Sequence, residues 1–121
     1  MSPELKLKSL LGQTIRNLFI NDDSVIFECA SGERYMMHHV QDCCESVKVL
    51  GTFGDLPSII GFPITNAVEN DDEPENHGEE IYESGTWSRF FISTERGTVE
   101  IRWLGQSNGY YSEDVSFDKL N

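Results

Sequence analysis

Trp87-Ser88-Arg89-Phe90-Phe91-Ile92-Ser93-Thr94-Glu95-Arg96-Gly97-Thr98-Val99-Glu100-Ile101-Arg102-Trp103-Leu104 holds two runs rich in aromatic and β-branched residues, separated by a short turn ending in glycine. That composition belongs to a pleated, half-buried surface, and the turn makes the pair a β-hairpin. Downstream, Asn108-Gly109 is the strongest short turn signal in the chain, and Val115 to Phe117 reads as a last short strand. Upstream, Val47 to Thr52 and Phe62 to Ala67 read as strands, with Gly54 to Gly61 between them as a turn or a single helical turn. Ser24 to Cys29 and Glu33 to His39 form a second hairpin around Ala30-Ser31-Gly32. Thr14 to Ile20 is extended, and Asn21-Asp22-Asp23 is turn chemistry.

The N-terminal segment has a different period. Ser2 as N-cap, Pro3 at the first helical position and Gly12 beyond the end predict a short helix, with Leu7, Leu10 and Leu11 on its buried face. The expected architecture is α+β: one small domain over residues 1–121, dominated by antiparallel β-strands, with that short N-terminal helix packed on it. Its predicted core comprises Leu18, Ile20, Val25, Phe27, Val49, Ile60, Phe91, Val99 and Ile101, with Trp87 and Trp103 read as core residues too.

Charge narrows the function classes. Lys and Arg total 9 against 21 Asp and Glu, a formal net charge of −12. No basic run forms, which argues against direct binding of a nucleic-acid backbone by charge neutralisation. The balance favours solubility and attraction to a basic surface on a partner protein. No apolar run approaches the ~20 residues of a membrane span, and no signal-peptide core stands at the N-terminus, so a cytoplasmic location without membrane contact is expected. Three cysteines, two of them adjacent, are poor material for a disulfide framework.

Chemistry, if present, concentrates in Tyr35 to Glu45, where His38, His39, Cys43 and Cys44 fall within seven consecutive positions. Together with Cys29 and His77 they could furnish a tetrahedral zinc site, but the spacing matches no finger or ribbon. Alternation along the strand also sends His38 and His39 to opposite sides. A thiolate at Cys43 or Cys44 with a histidine base is the other option. Asp42 and Glu45 oppose it, because nearby negative charge raises a thiol's pKa. The plainer reading makes Cys29 and one of Cys43/Cys44 small core residues, and Asp42 a turn residue capping the amides of Cys44 or Glu45. Phosphate-binding glycine loops, a nucleophile elbow and HExxH are absent, and no cofactor or metal is expected.

Between Glu69 and Glu83 lie eight acidic residues and no Lys or Arg, interrupted by Pro74 and Gly78. Residues 69–83 therefore read as a solvated surface loop. Displayed on a β scaffold, Glu69, Asp71, Asp72, Glu73, Glu75, Glu79 and Glu80 are the candidate contacts to a basic partner. Tyr110 and Tyr111 join them, since adjacent strand residues point to opposite faces and one should stand outward.

Asp42-Cys43-Cys44-Glu45 and Ser107-Asn108-Gly109-Tyr110-Tyr111 resemble the motifs of an uncharacterised family of small proteins found largely in bacteriophages and their hosts. The likeness runs from about Leu18 to Val115 and includes the glycine-bearing segment Leu56 to Gly61. It marks His39, Asp42, Cys43, Cys44, Asn108 and Gly109 as motif positions without assigning them a role. The resemblance implies a non-enzymatic, phage-encoded protein in the host cytoplasm. Such a protein would bind and inhibit a host protein, for example a nucleic-acid-handling or defence complex such as a CRISPR-Cas effector. Two other expectations stand beside it: a small metal- or thiol-dependent enzyme centred on His38, His39, Cys43 and Cys44, and a structural or virion-associated module that forms homo-oligomers.

Overall fold

A computed structural model of the chain describes residues 6–72, 84–108 and 112–120. Among these residues eight strands form two antiparallel sheets: β1 (Ile15–Ile20), β2 (Ser24–Cys29), β3 (Arg34–His38), β4 (Ser46–Phe53), β5 (Asn66–Asp72), β6 (Ser84–Thr94), β7 (Gly97–Ser107) and β8 (Ser116–Lys119). The first sheet has the order β1-β2-β3-β8 and the second β4-β7-β6-β5. The hairpin anticipated in Trp87 to Leu104 is the longest pairing among the described residues, running from Ser84↔Ser107 to Thr94↔Gly97. In strand order the entire second sheet is inserted between β3 and β8 of the first.

One core joins both sheets. Val25, Phe27, Met37 and Phe117 from the first meet Phe90, Ile92, Val99, Ile101 and Trp103 from the second, all essentially without solvent contact. Tyr35 stacks on Phe117 with ring centres 5.4 Å apart, so the last strand is locked to β3 through the core as well as through its backbone. Leu18, Ile20, Val49 and Ile60 pack against the core while partly buried. Among the described residues no helix is long and apolar enough to cross a membrane.

Three expectations change. In place of the N-terminal helix, the described residues hold only a short turn, with a 3-10 segment at Lys8–Leu10; Ser2 and Pro3 lie outside them. Leu7 and Leu10 are buried as their spacing requires, but Leu11 sits past the turn and is exposed. Phe91 is not a core residue. Phe90 takes the inner position opposite Ile101, so Phe91, opposite Glu100, faces outward, and so does Trp87 opposite Leu104. Finally, Glu69, Asp71 and Asp72 do not begin a loop: they continue the edge strand β5, paired with Phe90, Ser88 and Trp87 of β6. Local preference opposes acidic residues in a strand, and a long neighbouring strand overrides it.

Candidate functional site

The connection from β3 to β4 has no regular backbone pairing, so its amides need side-chain acceptors. Glu45 supplies them. Its carboxylate, fully shielded from solvent, accepts the Asp42 N–H through Oε2 and the Cys43 N–H through Oε1, both at 2.8 Å. Gln41 braces the same turn, with Nε2 donating to the Glu45 carbonyl at 2.7 Å and to the Cys43 carbonyl at 3.2 Å. The expected capping by Asp42 is thus reversed: Asp42 gives its amide and Glu45 is the cap.

His39 completes the arrangement. Nε2 lies 2.7 Å from Glu45 Oε2 and Nδ1 lies 2.7 Å from the backbone carbonyl of Asp114, with the ring almost wholly buried. Both ring nitrogens face oxygen acceptors, so the ring is held from two sides. The hydrogen bond from His39, aided by the Cys43 and Asp42 amides and opposed by burial, holds the Glu45 carboxyl at about 2.

The Asp114 carbonyl belongs to a segment built on a second buried acid. Glu113 accepts from Thr86 Oγ1 at 2.7 Å and from Ser107 Oγ at 2.5 Å. Its backbone presses on β7 at Gly105, where an added Cβ would stand 2.7 Å from both the Cβ and the carbonyl oxygen of Glu113. Only glycine leaves that space. His39 is therefore tied to Asp114, just beyond the second motif segment, whose Ser107 anchors the neighbouring Glu113. Open grooves flank the junction. One of about 320 Å³ runs between residues 39–42 and Ser112, Asp114 and Ser116; another of about 460 Å³ lies among Asp23, Ser24, His38, Gln41 and Lys48.

The remaining predicted residues fall elsewhere. His38 lies on the outer face of the first sheet with Nε2 2.8 Å from Asp118, so the two histidines diverge as alternation requires. Hydrogen bonds from His38 and then Lys6 lower the Asp118 carboxyl. Cys29 is buried, and burial raises its thiol above the usual range. Cys43 and Cys44 are exposed, which corrects the expectation that one of them fills the core; their sulfurs are paired as a disulfide between adjacent residues. His39 has both nitrogens engaged with oxygens, so it offers no free base toward them. Among the described residues no three His, Cys, Asp or Glu side chains are grouped to hold a metal.

Glu69 lies on the strand face it shares with the buried Phe90, and Asn108 is exposed at the end of β7. Glu73, Glu75, Glu79, Glu80, Gly109, Tyr110 and Tyr111 lie outside the described residues. Glu45 and Glu113, the organisers of the junction, were missed as site residues by the sequence reading. The signal for Glu45 was present: an acid three residues after Asp42 can reach back to that residue's amide, as in a capping box.

A family model described as a domain of unknown function (DUF7448) matches residues 8–117. No curated protein matches the chain, and no solved structure does.

Proposed function

Because the chain belongs to the DUF7448 family, whose description assigns no activity, we propose its function from the site itself: a non-enzymatic domain that binds a partner protein. The observation carrying this reading is that the motif region spends its reactive groups on itself. His39, Glu45 and Glu113 are buried and engaged by hydrogen bonds that hold two loops together, so the most enclosed titratable groups of the region serve its architecture. A site so arranged supports a surface more readily than a reaction.

In the finer form of the proposal the protein is phage-encoded and works in the host cytoplasm, and its acidic residues from Glu69 to Glu83 engage a basic, nucleic-acid-handling host protein. The net charge of −12 supports electrostatic attraction to such a surface. The test is affinity capture from bacterial lysate at low and high salt, with the wild type beside a variant whose Glu69 to Glu83 acids are neutralised. A basic partner lost both in high salt and in the variant is expected. A partner indifferent to both, or none, overturns the electrostatic form.

A further inference from the structure

We infer that the outer face of the β4-β7-β6-β5 sheet is a docking surface for a protein partner that presents a carboxylate within an apolar surround; this deepens the partner-binding reading by naming a face and its complement. The face is read from the strand register. Arg102 of β7 stands directly opposite Arg89 of β6. On one side of this pair the row across the sheet is Phe53, Glu100, Phe91; on the other it is Lys48, Leu104, Trp87. Outward positions of a solvated antiparallel sheet are ordinarily polar. Here they alternate aromatic residues with guanidinium groups.

Three features argue for an acidic occupant. Like charges directly opposite on neighbouring strands destabilise a sheet, yet two of the nine basic residues of a strongly acidic chain occupy such a pair. Lys48 adds a third cation to the face, against Glu100, which binds Arg102 Nε at 2.7 Å, and Asp72, which pairs with Trp87 at the β5 edge. The guanidiniums also rest on rings: Arg102 lies 4.3 Å from the centre of Phe53 and 5.6 Å from that of Trp87, and Arg89 lies 5.9 Å from that of Phe91. Stacking fixes a guanidinium's plane and so prepares its donors for a carboxylate.

The apolar part favours a protein over a nucleic acid. Phe53 is 49% and Leu50 55% exposed, both on the open edge strand β4, Leu50 at its bulge. Exposed aromatic residues around arginine match the composition of residues that dominate protein interfaces. A polyphosphate strand would have to approach a molecule of net charge −12 along its whole length. One carboxylate on a protein surface meets only the local field, because screening confines charge effects to about 8 Å at physiological salt.

The test is selection of a ribosome-displayed random peptide library on the wild-type chain. Binding of the selected peptides is then compared on Arg102→Ala, on Phe53→Ala, and on the variant neutralised from Glu69 to Glu83, each first checked for an unchanged melting transition. Peptides carrying Asp or Glu beside aromatic or aliphatic residues are expected. Their affinity should fall about tenfold or more on Arg102→Ala and on Phe53→Ala, and should not fall on the neutralised variant. That last arm separates this surface from the acidic one, since either can fail alone. Recovery of no binders, of basic peptides only, or of peptides indifferent to both substitutions overturns the inference. Binding of a fluorescent oligothymidine that is lost in Arg102→Ala overturns it in favour of single-stranded nucleic acid.

Discussion

Glu45 answers to acid, and the sign follows from its surroundings. Its carboxyl sits at about 2 in the folded chain against an ordinary 4.5, so it contributes stability that is fully present above 4.5 and lost as pH falls from there toward 2. Melting temperatures of the wild type and Glu45→Gln should therefore differ most near neutrality and converge across that interval. Tyr35 answers to base with the opposite sign. Burial first, and then its 2.7 Å hydrogen bond to Glu33, push its hydroxyl up to about 12 from 10.0. Its contribution is present below pH 10 and disappears as pH rises toward 12, so Tyr35→Phe should flatten the alkaline limb of the same curve. Gly105→Ala tests the contact with Glu113: the new methyl has no room, and a loss of about 1 to 3 kcal/mol in urea unfolding is expected. The motif region was legible from the sequence as a place, but its centre was not. Cysteines and histidines drew attention by type, whereas the contact that organises the junction is made to a backbone carbonyl 75 residues away, which no spacing of side chains encodes.

Strand β6 shows why two core positions, Trp87 and Phe91, were misread. Its inner face carries Ser88, Phe90, Ile92 and Thr94, while its outer face carries Trp87, Arg89, Phe91 and Ser93. The two faces are almost equally apolar, so alternation identifies a strand without saying which side is buried. Unfolding of alanine variants separates them: Phe90→Ala should cost about 3 to 5 kcal/mol, and Phe91→Ala no more than about 1 kcal/mol. The hairpins themselves were plain, because turn residues and β-branched runs are local signals. The strand character of Glu69 to Asp72 was hidden for the opposite reason: it comes from pairing with β6 and not from the residues themselves. At the N-terminus the leucine spacing correctly marked Leu7 and Leu10 for burial, but a turn meets that need without a full helix.

Across the whole molecule, charge and topology divide the work. The acidic excess lies in the composition at large, while the second sheet gathers Lys48, Arg89 and Arg102 on one outer face, an organisation visible only once strand register is known. Dominance of antiparallel strands was within reach of pattern reading; the division into two sheets and the order of the strands were not. That order has a consequence in time. Sheet one remains incomplete until β8 reaches β3, a pairing such as Tyr35↔Lys119 that spans more than two thirds of the chain, while β6 and β7 pair across a two-residue turn. Closing short loops first shortens the long ones that follow. The β6–β7 hairpin should therefore nucleate folding and β8 should dock last. In stopped-flow kinetics, Ile101→Val should slow refolding, whereas Phe117→Leu should chiefly accelerate unfolding. The final strand then acts as a latch on a molecule already folded behind it.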